Sequence, residues 1–174
     1  MLRCFVGRAA VIAGVLLLAA PSARAQGSIG LHVFGLSYHY QSRTYTDGSG
    51  VARWYDQFNP GLGAEYIVNE SSRLLVSGEA GAYRDSKGRR NVFAGPALRV
   101  DAGGHLLIGA AVVAMSSKTY GVPVAPLPLV TARWLRAGLT ATWIPALSRR
   151  ESGAVGLFST IYLWQVRKRH GPAS

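Results

Sequence analysis

Apolar and polar side chains alternate along much of this chain with a period of two residues. From Arg73 to Ala82 the even positions are apolar or small, while the odd positions include Arg, Ser and Glu. The segment 135–143 repeats the pattern, with Leu, Ala and Trp opposite Arg, Gly and Thr. Successive side chains of a β-strand point to opposite faces, so this period predicts strands with one apolar face. No segment requires the 3.6-residue period of an α-helix.

Eight segments have this character, and the connections between them alternate in length. Long connections at 41–59 and 145–153 contrast with short ones at 69–72 and 101–104. Outer-membrane barrels have short turns at one end and longer loops at the other. The sequence therefore predicts an all-β fold, an eight-stranded antiparallel transmembrane β-barrel within residues 26–166. The predicted strands are 28–40, 60–68, 73–83, 91–100, 104–116, 124–134, 135–144 and 154–166.

The composition favours a membrane barrel over a soluble one. Only 16% of the residues are charged, compared with about a quarter in typical soluble domains. Aromatic residues collect near the ends of the predicted strands, as they do at the two interfaces of membrane proteins. An exported soluble carrier of the lipocalin type is the alternative, but the outward face of such a barrel is polar.

The N-terminal residues have the features of a secretory signal peptide. Arg3 and Arg8 precede an apolar run over 9–20, and a small-x-small cleavage pattern ends at Ala25. The run is shorter than the roughly 20 residues that a spanning helix needs. Residues 1–25 are therefore predicted to be removed on export, together with Cys4, the single cysteine. The predicted localisation is the outer membrane of a Gram-negative cell.

The charge balance indicates the class of partner. The chain has 19 basic and eight acidic residues, and removal of the leader takes three Arg, leaving a net charge of +8. In an exported protein, such an excess favours anionic lipid head groups or lipopolysaccharide phosphates over nucleic acid. Part of it lies in a basic C-terminal tail, 167–174. Another part lies in the predicted loop after Tyr83, where a solvated, salt-bridged loop is the alternative; its basic residues are Arg84, Lys87, Arg89 and Arg90.

Two features predict a route for lipid into the barrel. The fifth strand is apolar on both faces, which suits either a narrow bore for an acyl chain or tight interior packing. Prolines lie at the facing ends of the sixth and seventh strands, at Pro126, Pro128 and Pro145. Because proline lacks a backbone N–H, they predict a local gap in the ladder, with ordinary loop-edge prolines as the alternative.

Candidate chemistry lies at the predicted loop end. Asp85 and Ser86 follow a strand within "AYRDSKGRRN", and His39 ends the first strand on the same rim. Asp, Ser and Gly concentrate in turns, so a plain turn is one interpretation. His as a general base beside a hydroxyl is the other, and it would support acyl transfer. The remaining histidines lack partner spacing for a metal, and no nucleotide motif occurs, so no metal or cofactor is predicted.

Five segments resemble, in order and rough spacing, the PagP family of outer-membrane lipid A palmitoyltransferases. Members of this family move a palmitoyl chain from a phospholipid to lipid A and admit lipid through proline-lined gaps in the barrel wall. The segments are "LSYHY", "FNPGLGAEY", "AYRDSKGRRNVFAG", "VPVAPLPLV" and "TATWIPAL".

The resemblance implies a role for individual residues. It makes His39, Asp85 and Ser86 the catalytic residues, and it puts Pro128, or else Pro126, at the wall gap with Pro145. The family's glycine at the floor of its acyl pocket falls on Ala97, whose added methyl would favour a chain shorter than palmitoyl.

The function expected from the sequence is therefore acyl transfer from a phospholipid to lipid A or another glycolipid or phospholipid acceptor, by a monomer. Arg84, Arg89 and Arg90 are expected to bind the acceptor. The alternative is a non-catalytic structural or lipopolysaccharide-binding barrel, and a lipid deacylase would use the same residues with water as the acceptor.

Overall fold

The computed structural model describes residues 27–71, 73–116, 124–146 and 152–164, with the side chain of Trp164 excepted. The predicted signal peptide, the connection 117–123 and the basic tail lie outside these residues. The described residues form ten strands and no helix. The strands are β1 Ser28–His39, β2 Thr44–Thr46, β3 Ala52–Trp54, β4 Phe58–Glu70, β5 Leu74–Arg84, β6 Arg90–Gly103, β7 Leu106–Ser116, β8 Val124–Trp134, β9 Ala137–Ile144 and β10 Ala154–Trp164.

Among these residues, the search for a helix of sufficient length and hydropathy to cross a bilayer finds none.

Eight of the strands close into an antiparallel barrel in the order β1-β10-β9-β8-β7-β6-β5-β4. Closure comes from β1, which pairs with β4 on one side and with β10 on the other. The predicted eight-stranded antiparallel barrel is confirmed, and most strand bounds agree with the predicted ones within three residues. The small β2–β3 hairpin, which lies in the connection 40–57, was not predicted.

The barrel has an apolar outer face. Outward positions on seven of the eight barrel strands carry exposed large aliphatic or aromatic side chains, and those at mid-strand in β5 carry alanine and glycine. The two charged residues of β4 and β6 nearest mid-strand, Glu65 and Arg99, both point inward and are buried. Such an apolar outer face is typical of barrels that contact lipid rather than water. Representative outward residues are Ile29, Leu31, Val33, Leu62, Leu98, Val100, Ile108, Val112, Val130, Leu139 and Ile161.

The interior is divided into three layers. The layer nearest the connections 40–57 and 85–89, here the loop end, holds an apolar cavity. The middle layer is a polar network. The layer nearest the two-residue turns 104–105 and 135–136, here the turn end, is an apolar cluster that consists of Ile67, Leu75, Leu107 and Tyr162.

Arg99 is the centre of the polar layer. Its Nη1 donates to Glu65 Oε1 at 2.6 Å and to Ser77 Oγ at 3.3 Å, and its Nη2 donates to Glu79 Oε1. All three charged side chains are at most 5% exposed. Unpaired charges at this depth would be strongly unfavourable, so the two carboxylates depend on this one guanidinium.

We expect Arg99→Met to lower the free energy of unfolding by about 3–5 kcal/mol, because it leaves two buried carboxylates without their cation. Urea unfolding of the refolded barrel in lipid bilayers measures the change. Arg136→Met, at an exposed position of the turn end, is the matched control. A loss no larger than that of the control would contradict the role given to Arg99.

Candidate active site at the loop end

A bulge in β1 decides which way His39 points. Up to Phe34 the even residues of β1 face inward. The pairing of β1 with β10 then shifts by one residue, so that Phe34 is opposite Phe158 but Leu36 is opposite Leu157. Gly35 is the extra residue, and after it the odd positions face inward. His39 is consequently 6% exposed, whereas unbroken alternation would put it on the outer face.

Tyr55 covers His39. The two rings are parallel within 6° and their centroids are 3.8 Å apart. The β2–β3 hairpin supports Tyr55, since the Tyr55 amide donates to the Arg43 carbonyl and its ring packs on Tyr45. Lys87 Nζ lies 5.3 Å from the Tyr45 ring centroid and 5.9 Å from that of Tyr55. The connection 40–57 is thus held against the loop after β5.

An ion pair between Asp47 and Arg53 closes the tip of the β2–β3 hairpin, which is not part of the barrel wall. Arg53 Nε donates to Asp47 Oδ2 at 2.5 Å, and the Ser49 hydroxyl donates to Asp47 Oδ1 at 2.6 Å. The hydrogen bonds from Arg53 and Ser49 lower the pKa of the Asp47 carboxyl below its ordinary value. Asp47 therefore remains ionised, and able to pair with Arg53, at more acidic pH than an ordinary Asp.

Neither ring nitrogen of His39 has a hydrogen-bond partner of normal geometry among the described residues. The backbone of Ser152 lies beside the ring. Buried polar atoms are generally paired. Apart from the Ser152 backbone, the His39 imidazole has no such partner in the described part of the chain, and it can therefore meet a ligand.

Asp85 and Ser86 form the tight turn that the sequence offered as one interpretation. Asp85 Oδ1 accepts from the amides of Lys87 at 3.0 Å and Arg89 at 2.8 Å, and the Asp85 amide donates to the Arg89 carbonyl. The Ser86 carbonyl accepts from the Asp56 amide at 2.8 Å, next to Tyr55. Both side chains are buried, with exposures of 1% and 5%. The structure thus brings Asp85, Ser86 and His39 to one rim, with the hairpin residues 55–56 between the two segments.

An apolar cavity of about 110 Å³ lies directly beneath this rim. Asp85 and Ser86 line its mouth, Phe34, Phe93 and Phe158 line its middle, and Glu79 of the polar layer marks its lower end. The predicted apolar inner face of the fifth barrel strand, β7, takes part through Ala111, Val113 and Met115. His39 is not among the residues that line this cavity.

Ala97 lies behind the lower part of the cavity wall. It is 3% exposed and packs with Ala111, Val113 and Leu129, three residues that do line the cavity. Its cross-strand partner on β5 is Ser77, which accepts from Arg99. Ala97 therefore lies at the level where the apolar cavity meets the polar layer.

The barrel ladder has a gap between β8 and β9 at the loop end. The two strands pair from Leu129 opposite Thr142 down to Trp134 opposite Ala137. Above that level β8 continues to Val124 without pairing to β9, although it remains paired to β7. Continuing the register places Pro126 opposite Pro145 and Pro128 opposite Trp143. Leu127 and Ile144 line the cavity from the two sides of this gap.

Basic side chains border the site on its outer edge. Arg84 and Arg90 are exposed and directly opposite each other on β5 and β6. Neither forms an ion pair with a described residue. Like charges in this arrangement repel each other, so an anion between them is favourable. Arg89 lies in the turn beside them and is also exposed.

Sequence reasoning missed several residues of this site. Tyr55 and Asn59 fell in a predicted connection, and Ser37 and Thr142 were not singled out although both line the cavity. Gly35 was the available signal for the change of face in β1, because glycine within a strand often marks a bulge.

A scan against protein-family models and a search of curated proteins find no match to this chain.

We expect deletion of Gly35 to move residue 39 to the outer face, because the deletion restores unbroken alternation. A spin label on His39→Cys reports the change by its collision rates with oxygen, which is concentrated in lipid, and with a water-soluble nickel chelate. The control is Gly35→Ala, which keeps the extra residue and whose Cβ would meet no atom within 4 Å. If the deletion and the control gave the same collision rates, the bulge would not set the direction of His39.

Proposed function

We propose that this protein is an outer-membrane acyltransferase that moves an acyl chain from a phospholipid to lipid A or a related glycolipid or phospholipid. One observation carries the proposal: an apolar cavity inside the barrel opens between a rim with His39, Asp85 and Ser86 and a gap in the wall. The cavity is narrow, so an acyl chain would widen it on entry while leaving its ester near the rim. The apolar outer face and the predicted leader support the location.

The residues at the rim suit ester exchange. An acceptor hydroxyl attacks the acyl carbonyl while His39 takes its proton, and the tetrahedral intermediate expels the lysophospholipid alkoxide, which receives that proton. The Ser86 hydroxyl at the cavity mouth would donate to the oxygen that becomes negative. The Asp85 carboxylate acts by holding this turn in shape through the amides of Lys87 and Arg89.

The gap between β8 and β9 provides a route for the donor lipid. An acyl chain that moved along the bilayer could enter above Leu129 and Thr142, where no ladder closes the wall. Pro126 and Pro128 offer no backbone N–H that could close it. The donor would therefore enter from the membrane and leave its head group at the loop end.

The acceptor would be held by phosphate groups. The facing pair Arg84 and Arg90, with Arg89 beside it, offers guanidinium groups at the height of lipid head groups. Arginine binds phosphate through two parallel hydrogen bonds. A lipid A phosphate between the two arginines would also relieve their repulsion.

A non-catalytic, glycolipid-binding barrel is the second candidate function. It is favoured by the Tyr55 ring, which lies flat on His39. It is also favoured by the Asp85 carboxylate, which acts as a turn residue. In this alternative the basic rim binds lipid and no ester is exchanged.

We expect cells that make the wild-type chain to contain a lipid A or phospholipid species with one additional acyl chain. His39→Ala and Ser86→Ala should reduce it roughly 100-fold or more, since general acid–base catalysis contributes at least that much. Mass spectrometry of both lipid classes gives the result, with each variant folded to the same level in the outer membrane. His105→Ala, at the turn end, is the matched control. Unchanged lipids from a folded wild-type barrel would favour the second candidate, and a free fatty acid with lysolipid alone would indicate a deacylase.

We expect Ala97→Gly to shift the preferred acyl donor toward longer chains. The substitution removes a methyl group behind Ala111 at the lower end of the cavity, where added space extends the well. Competition among phospholipid donors of graded chain length measures the preference. Ala94→Gly, on the same strand, is the control because its side chain is on the outer face. An unmoved preference would exclude Ala97 as a determinant of chain length.

A further inference from the structure

One level of the cavity wall carries polar side chains that the proposed reaction does not use. Ser37 on β1 is opposite Gly156 on β10, and Gly156 is in turn opposite Thr142 on β9. Asn59 on β4 joins the same level, because its Nδ2 donates to Ser37 Oγ at 2.5 Å. Ser37, Asn59 and Thr142, here the polar row, all line the cavity, as does Gly156, which places no side chain between them.

Two atoms of the polar row are unpaired. Asn59 Oδ1 and Thr142 Oγ1 are buried and have no hydrogen-bond partner among the described residues. The orientation of the Asn59 amide is fixed by its second contact, since its Nδ2 also lies 3.4 Å from the Gln57 carbonyl oxygen, which can only accept. Asn59 Oδ1 is therefore an acceptor that requires a donor. Leaving such an atom unpaired is costly, so a ligand that satisfies it gains affinity.

We propose that the acyl chain bound in this cavity carries a hydroxyl group close to its carboxyl end. This inference rests on the proposed function for the identity of the ligand as an acyl chain. An unsubstituted chain has only acceptor oxygens at its ester and cannot satisfy Asn59. A hydroxyl can donate to Asn59 Oδ1 and can accept from Thr142 Oγ1.

The depth of the polar row sets the position of the hydroxyl. Ser37 is two residues below His39 on β1, which is about 7 Å along the strand and about 5 Å along the axis of a barrel with tilted strands. An ester held near His39 would thus place only its first few carbons at this level. Below the polar row, Phe34, Phe93 and Phe158 line the cavity and offer nothing to a hydroxyl at their level. Glu79 at the lower end already accepts from Arg99.

Binding of free fatty acids tests the inference without requiring acyl transfer. The probes are ¹³C-labelled tetradecanoate, its β-hydroxy derivative and its ω-hydroxy derivative, each titrated by NMR into the refolded full chain in lipid nanodiscs. We expect the β-hydroxy acid to bind about fivefold or more tightly than the other two, the gain of one net hydrogen bond. Asn59→Leu and Thr142→Val, which keep approximate shape, should abolish the preference without weakening binding of tetradecanoate.

The outcomes separate this inference from the proposed function. Equal binding of the three acids, or a preference that survives in Asn59→Leu, would overturn the inference and leave acyl transfer untouched. A β-hydroxy preference of the wild-type barrel, when that same barrel transfers no acyl chain in cells, would support the inference and count against the transferase. Thr142→Val is also the variant least expected to misfold, because it only replaces a hydroxyl group with a methyl group of similar size.

Discussion

Closure of the β-ladder is the constraint on which the rest of this structure depends. Because each barrel strand pairs on both sides, a residue can face only inward or outward, and its position along the strand decides which. One extra residue, Gly35, reverses that choice for the last part of β1. The inward direction of both Ser37 and His39 follows from this single irregularity.

The buried charges of the middle layer limit how far any ligand can extend into the barrel. Arg99 pairs with both Glu65 and Glu79 across three strands, and no apolar chain could pass that layer without separating these charges from one another. The cavity therefore ends where the network begins. Stability and ligand length are coupled at this level, because the same residues that hold β4, β5 and β6 together also form the lower limit of the cavity.

The sequence predicted the barrel well and the site only in part. Period-two alternation identified eight strands because each strand is a local pattern, and the tight connections around 101–104 and 135 could be read from neighbouring residues. The stacking of Tyr55 on His39 could not be predicted from neighbouring residues, because it depends on how the connection 40–57 folds over the barrel mouth. The polar row is equally non-local, since Asn59, Ser37 and Thr142 come from three strands that meet only when the barrel closes.

The covered state of His39 is compatible with transfer between two lipids. A reaction of this kind must keep water away from the ester, because water would compete with the acceptor hydroxyl and turn the enzyme into a hydrolase. The Tyr55 ring lies flat on the imidazole, held by the hairpin whose tip Asp47 and Arg53 close, and it excludes water from one face of His39. If the acceptor enters along the basic edge at Arg84 and Arg90, it can reach the edge of the imidazole while Tyr55 stays in place. Under the proposed function, the Tyr55 ring that covers His39 would therefore favour transfer over hydrolysis.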